Sequence, residues 1–207
     1  RCIVDDGLLY NEAQVTFQET EPESPARKLF VILLGGQSNA RGYGYQQYLS
    51  DTTNALADPQ TDVDFYFSPT AYLTQYVLTN LMSGSGFPEV KGTAGVNQQY
   101  EPQSAPVNRF GPELSLGRTI RDRIQVASSK VAVIKFAQSG TDLYSDWKPD
   151  GTTNKTADGT VYQSFHTTVG KGITALTNAY PDYQLEMLGM GWVQGEADAV
   201  DAAGTNI

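Results

Sequence analysis

The 207-residue sequence predicts an α/β domain built on a largely parallel sheet, and three observations predict it. Short, nearly continuous apolar runs, FVILL at 30–34, KVAVIKFA at 130–137 and QLEMLGMGWV at 184–193, read as strands buried on both faces. Stretches with helical spacing lie between them, the alternation expected of strand–helix–strand units. Each run also ends in a small, glycine-bearing polar cluster rather than in a hairpin turn.

Residues 1–28 stand apart. QVTFQ at 14–18 reads as a short strand and ETEPESPAR at 19–27 as an acidic, proline-bearing linker, so this stretch is expected to be an N-terminal arm or the tail of an upstream domain. The domain proper is expected over 29–207, with its first buried strand at 29–35. DVDFYF at 62–67 alternates and predicts a second strand. Residues 82–108 are rich in Gly, Pro, Ser, Asn and Gln and predict a long loop, a kind of segment that often carries function.

A helix follows at 113–125, with Leu116, Ile120 and Ile124 on one face. The next buried strand is 130–137. After a polar loop, Phe165, Val169, Ile173, Leu176 and Tyr180 mark an amphipathic helix that Pro181 stops. The strand at 184–193 completes the set, and no internal repeat is present. Four parallel strands of this kind leave an apolar edge unpaired unless a further strand covers it.

Composition narrows the functional classes. A net charge of -9, with no cluster of Lys and Arg, argues against a nucleic-acid binder. No apolar stretch approaches the roughly 20 residues that span a bilayer as a helix. Cys2 is the single cysteine, so neither an internal disulfide framework nor a multi-cysteine zinc site is available. Few lysines, many Thr, Asn, Gln and Tyr, and an acceptor triplet at Asn154-Lys155-Thr156 favour a secreted or periplasmic protein. The chain opens on Arg1, and processing or trimming is expected to have removed whatever preceded it.

The three polar clusters are Gly36-Gln37-Ser38-Asn39, Gln138-Ser139-Gly140-Thr141 and Gln194-Gly195-Glu196-Ala197-Asp198. Ligands of open parallel sheets bind at the carboxyl ends of the strands, which is where all three fall. Such residues also serve as plain turn formers, so each alone has a structural reading. Together they fit acyl transfer. Ser38 sits on a sharp turn as a nucleophile must, Gly140 allows a backbone N–H to approach a substrate oxygen, and the Gln194 amide supplies a side-chain donor. The pattern is not the G-x-S-x-G elbow of the α/β-hydrolases, and no phosphate loop or G-x-G-x-x-G occurs.

GGQSNARG, FGPELSLG, FAQSGTDLYSDWKP and WVQGEADA, in that order between Leu29 and Val200, resemble the SGNH-hydrolase superfamily. Within it they look like carbohydrate acetylesterases of the sialate O-acetylesterase and acetylxylan esterase type. The resemblance implies a three-layer α/β/α, flavodoxin-like fold and a serine esterase that removes O-acetyl groups from a carbohydrate without metal or organic cofactor. It implies Ser38 as nucleophile, with the Ser38 N–H, the Gly140 N–H and the Gln194 side chain as oxyanion donors.

Gln37, Asn39 and Glu196 are expected to support the site, Glu196 by hydrogen bonding rather than by proton transfer. Arg41 either meets an anionic sugar or braces a carboxylate. Glu113 has an ordinary role as a negative charge at a helix start. Trp147 and Trp192 are candidates for a sugar-lining surface, Trp192 with the stronger expectation of being core. The family's catalytic Asp-x-x-His block has no counterpart up to Ile207, and His166 opens the second long helix, the wrong element for a base. The Asp and His are therefore expected from sequence after Ile207 or from a separate fragment. A non-catalytic carbohydrate-binding module on the same fold is the rival reading.

Overall fold

The computed structural model describes residues 27–45, 56, 58–68, 76–81, 109–149 and 158–199. QVTFQ, most of the arm at 1–28, the loop at 82–108, Asn154 and the chain's last eight residues lie outside the described residues. The apolar run after the linker forms β1 (Arg27–Gly36), which starts two residues before the expected domain boundary. A single turn of helix, α1 (Ser38–Arg41), and a two-residue strand, β2 (Gly44–Tyr45), follow. Next come β3 (Gln60–Phe67), β4 (Val77–Leu81) and the short β5 (Arg109–Phe110). The remainder is α2 (Glu113–Arg123), β6 (Lys130–Ala137), α3 (Thr160–Ala179), β7 (Tyr183–Val193) and the turn α4 (Glu196–Ala199).

Five strands form one sheet in the order β4-β3-β6-β1-β7. β3, β6, β1 and β7 run parallel, and β4 pairs antiparallel with β3. That antiparallel strand was not visible in the sequence, where VLTNL carries too weak an alternation to stand out. β2 and β5 form a separate antiparallel pair, Gly44 opposite Phe110 and Tyr45 opposite Arg109.

Side-chain alternation sends each central strand's residues to two helical layers, as a parallel sheet covered on both faces requires. Phe30, Leu34, Val63, Phe65, Phe67, Val131 and Val133 pack with Leu114 and Ile120 on the α2 side. Leu29, Val31, Tyr66, Ala132 and Ile134 pack with Leu176 and Ile173 on the α3 side. The three-layer α/β/α arrangement is thus present.

Both helices meet the sheet through residues that a count of apolar side chains overlooks. α2 buries Leu114 and Gly117, while Leu116 is half-buried. A Cβ on Gly117 would lie 2.5 Å from Leu81, so the missing side chain is what lets the helix seat against β3 and β4. α3 likewise buries Thr168 and Gly172, a Gly172 Cβ standing 2.8 Å from both Ile134 and Tyr66.

β7 is the outer strand among the described residues, and Met187, Leu188, Met190 and Trp192 are each 42–43% exposed on it. The expectation that Trp192 is core is therefore corrected: an edge strand leaves it half in solvent. Trp147, at 3% exposure, is the core tryptophan, packed against Phe136, Phe165 and Trp192.

Phe65 is wholly buried at the centre of the α2-side core and stacks on Phe67 at 4.9 Å. Its replacement by Ala leaves a void that β3, tied to β4 and β6, cannot close. Phe65→Ala is expected to cost about 3–5 kcal/mol, read as a shift of the urea midpoint without change of slope.

Candidate active site

The site is assembled by register. Gly36 pairs with Ala137 of β6 on one side and with Val193 of β7 on the other, so three adjacent strands stop at the same level. The residues that follow are Gln37-Ser38, Gln138-Ser139-Gly140 and Gln194. Backbone bonds fasten the three exits together: the Gln37 N–H donates to Val193 O at 2.9 Å and the Gln138 N–H to Gly36 O at 3.0 Å. Gly36 has φ +136, and a Cβ there would lie 1.9 Å from the Val193 carbonyl oxygen. Only glycine fits at this crossing.

Ser38 opens α1 and is half-buried. The turn closes with the Arg41 N–H on Gln37 O and the Gly42 N–H on Ser38 O, both at 2.8 Å. Gly42, at φ +91, passes so close to Gly111 that a Cβ would sit 2.0 Å from its Cα. Gln37, 2% exposed, turns inward and donates its amide to Glu196 Oε2 at 2.5 Å. The Asn39 amide donates to the other oxygen, Oε1.

One carboxylate thus holds the residues on both sides of Ser38. Its own backbone N–H, then the Asn39 and Gln37 amides, keep the Glu196 carboxyl below the ordinary value, while burial pushes the other way. Both Glu196 oxygens are thus engaged by amide donors.

Gly140 takes the left-handed conformation, φ +71, at the tip of the β6 exit, and is exposed. The loop behind it is stiffened by its own side chains. Thr141 Oγ1 donates to Gln138 O at 2.8 Å and accepts from Trp147 Nε1 at 2.9 Å. Asp142 accepts from the Ser145 N–H and hydroxyl, which hold its carboxyl below the usual range. Asp198 of α4 accepts from the Leu143 N–H, tying the β7 exit to this loop. Tyr43 and the buried Ser139 share a hydroxyl–hydroxyl bond of 2.8 Å between the Ser38 turn and the Gly140 turn.

Gln194 Nε2 donates to Thr141 O at 2.6 Å. An amide nitrogen carries two protons, so this bond orients the group and leaves the second proton for another acceptor. The structure brings Gln37, Asn39 and Glu196 into direct contact around Ser38, and it sets Gly140 and Gln194 at the ends of the two neighbouring strands. His166 lies elsewhere, exposed on α3, with its ring against Tyr162 at 4.6 Å. Among the described residues no group of three or more His, Cys, Asp or Glu forms a metal-binding cluster, and no helix is long and apolar enough to cross a membrane.

Two residues of the site region were not singled out for it in the sequence. Lys135, inside the apolar run of β6, is 4% exposed and its ammonium lies 2.6 Å from Glu113 Oε2. It also donates to the Arg41 carbonyl at 2.7 Å. Glu113 starts α2 as expected, but it is buried and its second oxygen accepts the Gly111 N–H at 2.9 Å. Burial pushes the Lys135 ammonium below its ordinary range, and the Glu113 carboxylate opposes that push. The legible signal was a lysine near the end of the apolar run that follows Lys130 in β6. Arg41 is buried as well, at 4% exposure.

The carboxyl edge of a mostly parallel α/β sheet thus presents a serine on a one-turn helix, flanked by two amide side chains locked to one carboxylate. The chain belongs to the family described as carbohydrate esterase, sialic acid-specific acetylesterase, which it matches over residues 28–206. Among solved structures it is similar to a protein from Arabidopsis thaliana, with 16% identity and a TM-score of 0.50, over 84% of this chain and 61% of that one. It is also similar to NanS, with 16% identity and a TM-score of 0.49, over 86% of this chain and 57% of that one. The chain therefore spans about three-fifths of the length of these two proteins. No curated protein matches it significantly.

The Glu196 bonds carry a testable pH signature. A carboxyl whose folded-state pKa lies below its ordinary 4.5 contributes stability that is present above that value and is lost as pH falls through the lower, folded one. Glu196→Gln is expected to be less stable than the wild type at about pH 7, and the gap is expected to close toward about pH 3. Urea midpoints of the two proteins across that range provide the check.

Proposed function

We propose that this protein is a serine esterase that removes O-acetyl groups from a carbohydrate, with Ser38 as nucleophile. The observation that supports it best is the common termination of β1, β6 and β7, which sets Ser38, Gly140 and Gln194 on three adjacent strand ends. Membership of a carbohydrate esterase family supports the same reading.

Ser38 Oγ attacks the acetyl carbonyl carbon and its proton passes to a base. The carbonyl oxygen gains the negative charge and rests on the Ser38 N–H, the Gly140 N–H and the second amide proton of Gln194. These donors are fixed before substrate arrives, so little reorganisation is needed as charge develops. Collapse of the tetrahedral adduct breaks the bond to the sugar oxygen, which leaves as the alcohol, and water then cleaves the acetyl-serine to acetate. The scheme uses neither metal nor organic cofactor.

No described residue is assigned as the base. His166 is exposed on α3, and both Glu196 oxygens are held by amides. His166 is the single histidine of the 207 residues, so an Asp–His pair of the kind the resemblance implies would have to be supplied from elsewhere than this sequence. The substrate is an O-acetylated sialic acid, by the family's description, with acetylated xylan as the alternative to be run beside it.

Ser38→Ala is expected to abolish acetate release from O-acetylated sialic acid while leaving the melting temperature unchanged. Gln194→Ala is expected to lower kcat about 10²–10³-fold, the usual effect of losing one oxyanion donor. Release of acetate by Ser38→Ala at the wild-type rate would end the serine mechanism. Sugar binding by the wild type without acetate release would favour the binding module instead.

A further inference from the structure

We infer that the buried Lys135–Glu113 pair is the positioning device of the nucleophile turn, holding α1 and with it Ser38 in place from beneath. The inference rests on the esterase reading for its catalytic consequence, but its geometry is independent of that reading. α1 has only four residues, too few to be held by its own hydrogen bonds. The carbonyls at a helix end need partners, and that of Arg41, the last residue of α1, receives the Lys135 ammonium at 2.7 Å.

The cation is in turn fixed by Glu113 at 2.6 Å, and the other oxygen of Glu113 takes the Gly111 N–H at 2.9 Å. A continuous chain of bonds therefore runs from Gly111 through Glu113 and Lys135 to Arg41. It ends at the crossing where Gly42 and Gly111 pass in near contact. The β2–β5 pairing, Gly44 opposite Phe110, joins the same two segments beside that crossing.

The pair sits on a rigid base. Lys135 is on β6, paired to Leu34 of β1 two residues before that strand ends, and Glu113 is the first residue of α2. Both side chains are at most 4% exposed, so no water competes for these bonds. A buried ion pair is weak evidence for stability, because apolar replacements of both members are often neutral or stabilising. A pair retained beneath a nucleophile has a more specific use in setting position. Displacing a reacting group by about 1 Å can slow catalysis about 10²-fold.

Lys135→Met alone would strand the Glu113 carboxylate in the core and destabilise the fold. The informative variant is Lys135→Met/Glu113→Leu, which removes both charges together. It is expected to melt within a few degrees of the wild type, with KM unchanged and kcat about 10²-fold lower. The Arg41 and Gly42 amides, which close α1, are expected to exchange at least about tenfold faster, with the β6 amides unaffected. Unchanged protection of these two amides overturns the inference, as does wild-type kcat despite their lost protection. A wild-type protein that releases no acetate would instead defeat the esterase reading, and amide exchange alone would then decide the role of the pair.

Discussion

Everything about the site depends on the pairing of β1 between β6 and β7. β1 is the strand whose two neighbours both carry site residues, and its register with each brings all three to the same carboxyl edge. A one-residue slip would turn Phe30 and Leu34 from the α2 layer to the α3 layer and detach Ser38 from the turns that flank it. Burial on both faces makes such a slip costly. The same apolar packing that stabilises the sheet therefore sets the spacing of Ser38, Gly140 and Gln194.

Above that edge the polar residues work as braces. Glu196 reaches back from the β7 exit to the amides on either side of Ser38, and Asp198 reaches forward to the loop that carries Gly140. Tyr43 joins the first turn to the second through Ser139. Each exit loop is thus bonded to the next, and the Ser38 turn is also bonded to Lys135 through the Arg41 carbonyl. Short loops on a rigid sheet hold their polar groups in set positions, which the proposed oxyanion donors would require.

The main strands, the two long helices and the parallel, two-faced sheet were legible in the sequence because apolar runs and helical spacing report burial directly. So was the cluster around Ser38, because a strand that stops in Gly-Gly-Gln-Ser-Asn has little reason to do so except to present a turn. β4 was not legible, since an edge strand needs no strong pattern; the helix faces were legible at Ile120, Ile124, Phe165 and Leu176, but the closest contacts of α2 and α3 with the sheet were not. Gly117, Thr168 and Gly172 lie at those contacts, and their small or polar side chains give hydropathy nothing to register. Trp192 was misread for the related reason that size and aromaticity suggest core, whereas exposure depends on having a neighbour strand.

The sequence by itself determined the fold class, the order of the main strands and two long helices, and the three polar clusters at strand ends, because these follow from local period and from where apolar runs stop. Only the tertiary structure decided which groups touch. It joined Glu196 to Gln37 and Asn39 across some 160 positions of chain, turned Gln194 onto Thr141 O, and converted a helix-starting glutamate and an in-strand lysine into one buried pair. Contacts of that kind are set by strand order and register, which no stretch of sequence carries alone, so the roles of Lys135 and Glu113 became readable only once β6 lay beside β1.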